Sequence, residues 1–204
     1  MNRADTTDVR TKATTMVALL VFAGLLMTSG AQAATWYVDG SVGNDGNSGT
    51  GWGASNALDT IQEGINRAFA DGGGQVWVAG GTYPEVGEPW GDPQLNSVVL
   101  KDDVEVYGGF RGTETSLGQR SVRLNETIID GSANSLYHVV AIGSGQTGDP
   151  DAAAPVNGAV LDGFVVTGGS AAGVNGVFHP WRGGGLYNYV SDPLIANCIF
   201  YDNA

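Results

Sequence analysis

The 204-residue chain carries 33 glycines and 9 basic against 21 acidic residues, for a formal net charge of −12. Such an acidic balance excludes a protein that grips a phosphate backbone with clustered Lys and Arg, and glycine without a three-residue period beside only 7 prolines excludes collagen. At 42% hydrophobic and 15% charged the chain can bury a core, and its single Cys198 excludes a disulfide framework or a cysteine-based zinc site within one chain.

The first segment reads as an address. Arg3, Arg10 and Lys12 precede an unbroken apolar run over 16–27, shorter than the ~20 residues that span a bilayer. Ala31-Gln32-Ala33 follows, a small-x-small cleavage pattern. Together these features predict a secretory signal peptide over 1–33, hence a secreted or cell-surface protein. Its removal takes away Arg3, Arg10, Lys12, Asp5 and Asp8 and leaves a net charge of about −13. No later stretch reaches membrane-spanning length, so no transmembrane segment is expected after cleavage.

Trp36-Tyr37-Val38 is a β-rich trio running into the Asp39-Gly40 turn, and the polar stretch 43–51 is loop. Leu58, Ile61, Ile65 and Phe69 then recur at helical spacing. Asn56 is the expected N-cap of that helix, with Asp59 in its first turn. Asp71-Gly72-Gly73-Gly74 ends it, because glycine takes the left-handed conformation at low cost. One amphipathic helix ahead of many strands suits a cap over the end of a β core. Short apolar runs follow at 75–79, 97–100, 104–107, 127–129, 137–142, 160–167 and 194–201, nearly all bounded by Gly, Asp-Gly or Asn. That spacing fits a sandwich, a barrel or a coiled solenoid.

An internal repeat favours the solenoid. Residues 160–169 align with 194–203 at an offset of 34, pairing Leu161 with Ile195, Phe164 with Cys198 and Val166 with Phe200. Gly163 aligns with Asn197, and these two residue types best tolerate positive φ, so both units demand the same bend. Gly168-Gly169 over Asp202-Asn203 repeats that demand. Residues 104–109 match the second half of the unit, and Ile128-Ile129-Asp130-Gly131 the first half. Identical bends in successive strands are what a stacked coil needs. Phe164, Val166, Cys198 and Phe200 should point inward, with Val165, Thr167, Ile199 and Tyr201 outward. Asn197 could begin an internal side-chain ladder. The expected fold is all-β: a right-handed parallel β-helix with an N-terminal capping α-helix, cap over 34–80 and rungs over 97–204.

Tyr37-Val38-Asp39, Gly43-Asn44-Asp45-Gly46-Asn47-Ser48-Gly49-Thr50, Thr60-Ile61-Gln62-Glu63 and Val76-Trp77-Val78-Ala79-Gly80-Gly81-Thr82-Tyr83 resemble the opening of secreted bacterial right-handed β-helix proteins of the pectate-lyase-like superfamily. Tyr107-Gly108-Gly109-Phe110, Tyr137-His138-Val139-Val140 and Leu161-Asp162-Gly163-Phe164 continue the resemblance. Gly183-Gly184-Gly185-Leu186 with Phe200-Tyr201-Asp202-Asn203 is similar to polymorphic outer membrane protein repeats. The resemblance implies a bacterial cell-surface or outer-membrane setting and further C-terminal rungs beyond Ala204. It implies little about activity, since such scaffolds host lyases, hydrolases, adhesins and passive stalks.

The residues themselves carry little chemistry. A polyuronate lyase needs a cationic base and cations for the substrate carboxylate, yet only Arg67, Lys101, Arg111, Arg120, Arg123 and Arg182 follow the signal segment. Hydrolysis needs two facing carboxylates. Asp102 and Asp103 are adjacent, and Asp130 and Asp162, which could stack at corresponding bends, each head an Asp-Gly turn. No residue is therefore assigned a catalytic role. Trp52, Trp90 and Trp181, in Gly- or Pro-rich loops, are the candidate carbohydrate-binding residues. Asp39, Asn44, Asp45 and Asn47 form an oxygen-rich stretch that could hold Ca²⁺, without the order of an EF-hand. Gly143-Ser144-Gly145-Gln146-Thr147-Gly148 spells G-x-G-x-x-G, but Asp149-Pro150-Asp151 forbids the helix a dinucleotide site needs. No other cofactor is implied. His138 reads as a satisfied strand residue rather than a catalyst, and Cys198 as a small buried hydrophobe. The function expected is a non-catalytic adhesin-like or structural module. Its partners would be extracellular polysaccharide or cell-surface components, not nucleic acid. The alternative is part of a polysaccharide lyase or glycoside hydrolase.

Overall fold

The computed structural model describes residues 33–84, 94, 96–143, 155–172 and 182–204. The expected signal peptide, apart from Ala33, lies outside them, as do Trp90, Trp181, His179 and most of the G-x-G-x-x-G stretch. The elements in chain order are β1 (Ala34–Val38), α1 (Ile61–Ala70), β2 (Gly74–Ala79), β3 (Gly81–Tyr83), β4 (Val98–Leu100), β5 (Val104–Phe110), β6 (Thr127–Asp130), β7 (Val140–Ile142), β8 (Val160–Asp162), β9 (Val165–Thr167), β10 (Leu186–Asn188), β11 (Leu194–Ala196) and β12 (Ile199–Phe200).

These strands form three sheets, ordered β1-β2-β5-β8-β11, β3-β6-β9-β12 and β4-β7-β10. Every pairing between named strands is parallel. From β2 onward the chain visits the first, second and third sheet in rotation. The molecule is thus mostly β, built of parallel sheets with one α-helix among the described residues.

Register puts like over like. In the first sheet Trp36, Val76, Val106, Leu161 and Ile195 share one row. In the second sheet Tyr83, Ile129, Val166 and Phe200 do, and in the third Val98, Val140 and Leu186 do. Apart from Phe200, these rows meet in a single core together with Ile61, Ile65 and Ala68 of α1. Burying one such side chain contributes about 1.5–3 kcal/mol.

The offset of 34 is observed: Leu194 pairs with Val160, Ile195 with Leu161 and Ile199 with Val165. Gly163 and Asn197 both bend at positive φ, 91° and 49°, and Gly168 and Asp202 repeat this at 78° and 49°. The assignment of the two earlier segments is reversed, however. β5 pairs with β8, the first half of the unit, and β6 with β9, the second half. A Gly or Asp-Gly marks both bends, so it cannot tell the halves apart. Asp130 consequently aligns with Thr167, in a different sheet from Asp162.

Burial at the last strands also departs from expectation. Phe164 and Val166 are buried as expected, but so are Val165 and Thr167, and Phe200 is 43% exposed. Phe200 lies on β12, the edge strand of its sheet among the described residues. The Asn197 side chain is exposed rather than internal, its amide donating to the Asp162 carboxylate at 2.7 Å.

The helix begins later than expected. Thr60 is the N-cap, its hydroxyl accepting from Glu63 N–H at 3.3 Å. Asn56 instead sits in a turn, its N–H donating to the Gly53 carbonyl and its own carbonyl accepting from Gly49. Leu58 precedes the helix and bridges to Val38. Arg67 pairs with Glu63 one turn away, and positive φ at Gly72 and Gly73 ends the helix as expected. Gly64 faces the sheet: a Cβ there would lie 2.7 Å from Val76 and 2.9 Å from Val38, so its bareness sets how closely α1 packs. None of the described helices is long and apolar enough to cross a membrane.

Candidate functional site

Alternation along the first sheet places Gln75, Trp77, Glu105, Tyr107 and Asp162 on the face away from the core. They form one linked row. Trp77 Nε1 donates to Gln75 Oε1 at 3.0 Å, and Gln75 Nε2 donates to Glu105 Oε2 at 2.9 Å. The same Glu105 oxygen accepts from the Tyr107 hydroxyl at 3.0 Å. Arg120 comes from the β5–β6 loop and lies over the Tyr107 ring, 5.1 Å from its centroid. Its guanidinium donates to Asp162 Oδ2 at 2.6 Å and to the Gly108 and Asp162 carbonyls at 3.0 Å each. Asn197 Nδ2 donates to the other Asp162 oxygen, Oδ1. Burial, then the hydrogen bond to Glu105, pushes the Tyr107 hydroxyl up to about 12; the Glu105 and Asp162 charges add to this and Arg120 offsets part of it.

An aromatic group adjoins this row. Trp77 stacks on Phe110 with centroids 4.8 Å apart, and Tyr37 meets Trp77 edge-on at 5.5 Å. Trp52, the described carbohydrate candidate, sits edge-on to Tyr37 at 4.9 Å and tilted against Phe110 at 5.6 Å. Its Nε1 donates to the Glu114 carbonyl at 2.9 Å. Trp52 thereby fastens the loop after β1 to the outer sheet face. Beneath it the Glu114 carboxylate is buried, which alone would raise its pKa. The N–H groups of Arg111, Thr113 and Gly112 outweigh this and hold it below the ordinary glutamate value.

Asp39, Asn44, Asp45 and Asn47 all lie in that loop. Asp39 Oδ1 accepts from Ser41 N–H and Oγ at 3.0 and 2.6 Å, and Asn44 Oδ1 accepts from Gly46 N–H at 2.8 Å. Asp45 Oδ1 accepts from the N–H groups of Asp59 and Thr60, and its Oδ2 from the Thr60 hydroxyl. Asn47 turns its amide NH₂ to the Ala54 and Ala57 carbonyls. The Arg67 guanidinium donates to the Asn47 and Asp45 carbonyls, so a fixed cation already serves this oxygen-rich stretch. Among the described residues no three His, Cys, Asp or Glu side chains come together as a metal-binding group.

His138 is buried, its ring stacked on Tyr187 at 4.8 Å and Nδ1 3.1 Å from the Gly183 carbonyl. Cys198 packs against the core, and burial pushes its thiol up. Neither joins the outer row. Sequence reasoning missed Glu105, Tyr107 and Arg120 as a group with Asp162. The alternation Val104-Glu105-Val106-Tyr107 carries the signal for the first two. No family model matches the chain, and no curated protein or solved structure matches it.

Proposed function

We propose that the chain is a non-catalytic module of the bacterial cell surface or exterior, a right-handed parallel β-helix that serves as an adhesin-like or structural scaffold. Three parallel sheets visited in rotation support the coil, and right-handed crossovers are the near-universal choice for parallel strands. Loops of unequal length leave the corners, as in a scaffold that presents them. The observation that carries the non-catalytic reading is the outer row itself. Asp162 is held by Arg120 and Asn197, Glu105 by Tyr107 and Gln75, and Glu114 by backbone. Their hydrogen bonds tie the sheet to its loops, so these three carboxylates serve structure and are not arranged as a glycosidase pair.

The signal-like segment 1–33 supports export, and the resemblance to pectate-lyase-like and polymorphic outer membrane protein sequences supports the setting. The test is to incubate the secreted protein with a polysaccharide panel, with and without Ca²⁺. No new reducing or unsaturated ends are expected; their appearance with any glycan would overturn the reading in favour of a lyase or hydrolase. N-terminal sequencing of exported protein should begin at Ala34.

A further inference from the structure

The β5–β6 loop, residues 111–126, is fixed at close intervals along its length. The Glu114 carboxylate accepts from the Arg111, Gly112 and Thr113 N–H groups at 2.7, 3.1 and 3.0 Å. Gln119 Oε1 accepts from the Thr115 and Ser116 N–H groups at 2.8 and 3.1 Å. Ser121 N–H and Asn125 Nδ2 both donate to the Gly109 carbonyl, at 2.8 and 3.0 Å. Arg120 is anchored on Asp162. Within this frame Arg111, Glu114, Gln119, Ser121, Leu124 and Asn125 line an open cleft of about 340 Å³. That size falls within the ~300–1,000 Å³ range of small-ligand pockets.

Several polar groups of the cleft are left over after the loop's own bonds. Among the described residues the Arg111 guanidinium, Gln119 Nε2 and the Ser121 hydroxyl have no hydrogen-bond partner, and Asn125 Oδ1 accepts no bond. Arg111 brings one positive charge and Glu114 one negative charge, so the formal charges of the lining cancel. Leu124 lies among them, 85% exposed. Trp52 is not a lining residue; its ring packs on Tyr37 and Phe110, and its Nε1 holds the Glu114 carbonyl. Leftover donors, one leftover carbonyl oxygen and one apolar side chain match an uncharged ligand rich in hydroxyl and ether oxygens. An anion gains no net attraction from a lining whose charges cancel, on a chain of net charge −12.

We propose that this cleft holds one uncharged hexopyranose unit of an extracellular polysaccharide. Arg111, Gln119 and Ser121 donate to its oxygens, Asn125 Oδ1 accepts from a hydroxyl, and Leu124 meets its C–H face. This deepens the adhesin-like reading above and rests on it. Because the loop is already bonded in place, binding orders little new backbone, which keeps the cost of holding so small a ligand low.

The test is affinity electrophoresis of the full secreted chain through gels holding dextran, galactan, mannan or polygalacturonate. Retardation is expected with at least one of the three neutral glycans, and it should survive about 0.5 M salt because the ligand is uncharged. Arg111→Met and Leu124→Asp should each weaken it about fivefold or more, whereas Arg123→Met, outside the cleft, should not. All three positions are exposed, so thermal melts of the variants should match that of the parent chain. Retardation by no neutral glycan, or retardation that either cleft variant leaves unchanged, would overturn the inference and leave the scaffold reading standing. Retardation by polygalacturonate alone, lost at high salt, would also overturn it by making the ligand an anion. New reducing ends in any of the glycans would instead overturn the non-catalytic reading on which it rests.

Discussion

Gln62 stands in for a strand beside Val99. Its Oε1 accepts from the Val99 N–H at 2.8 Å, and its Nε2 donates to the Val99 carbonyl at 3.3 Å, both buried. One side-chain amide thus supplies the donor and the acceptor that a neighbouring strand would have given β4. Gln62→Ala strands both groups away from water. A loss of about 1–3 kcal/mol is expected, read from a lowered urea midpoint at unchanged m.

Two ion pairs, Arg120–Asp162 and Arg67–Glu63, should behave differently. Arg120 and Asp162 have side chains only 15% and 13% exposed, whereas Arg67 and Glu63 are 24% and 33% exposed. Arg120→Met leaves Asp162 and two carbonyls short of a donor and should cost about 2–4 kcal/mol, with little dependence on salt. Glu63→Gln should cost no more than about 0.5 kcal/mol, an effect that shrinks further at 1 M salt. Thermal melts of both variants at two ionic strengths make the comparison.

At the paired bends the residue types are not interchangeable. A Cβ on Gly163 would lie 2.6 Å from Val122 and 2.8 Å from Arg120, in addition to the cost of positive φ. Gly163→Ala should therefore lose about 2 kcal/mol or more. Asn197→Ala, at φ 49°, keeps a Cβ that is already accommodated and gives up the bond to Asp162, and should lose only about 1 kcal/mol. Equal losses in denaturant melts would contradict a dominant role for the Arg120 loop at this bend.

The pH dependence has a worked sign at each extreme. The Glu114 carboxyl is depressed in the folded chain, so the stability it adds is present above the ordinary glutamate pKa and is lost as pH falls through the lowered one. Glu114→Gln should flatten the acid limb of stability against pH. Tyr107 is raised, so its contribution is whole below pH 10 and is lost as pH climbs toward about 12. Burial also pushes the Tyr187 hydroxyl up, so absorbance titration near 295 nm should show a late tyrosine step of which Tyr107→Phe removes only the Tyr107 part.

Much of the architecture was legible because positive-φ bends leave a residue signature. Gly163 over Asn197 and Gly168 over Asp202 located the last circuit to the residue. The same signature misled at 104–109 and 128–131, since both corners of a circuit use Gly and Asp alike. β3 (Gly-Thr-Tyr) and β10 (Leu-Tyr-Asn) escaped notice because neither is a run of apolar residues, unlike the equally short β4 (Val-Val-Leu). The cap moved from Asn56 to Thr60 because Asp45, fourteen residues before Asp59, pins the turn from a distance. In the outer row Glu105 and Tyr107 follow from alternation. Arg120 reaches Asp162 across 42 residues of chain, and no local pattern encodes that.

Registered strands do not require equal lengths of chain between them. In the first sheet Gly74 lies beside Val104, Glu105 beside Val160 and Val160 beside Leu194, separations of 30, 55 and 34 residues. The core fixes where each strand lands and is indifferent to the contour between. Evolution or a protein engineer can therefore graft segments of some twenty residues at a corner, at an entropic cost that grows only logarithmically with loop length. Corner segments can thus change in length while the register of the interior stays the same.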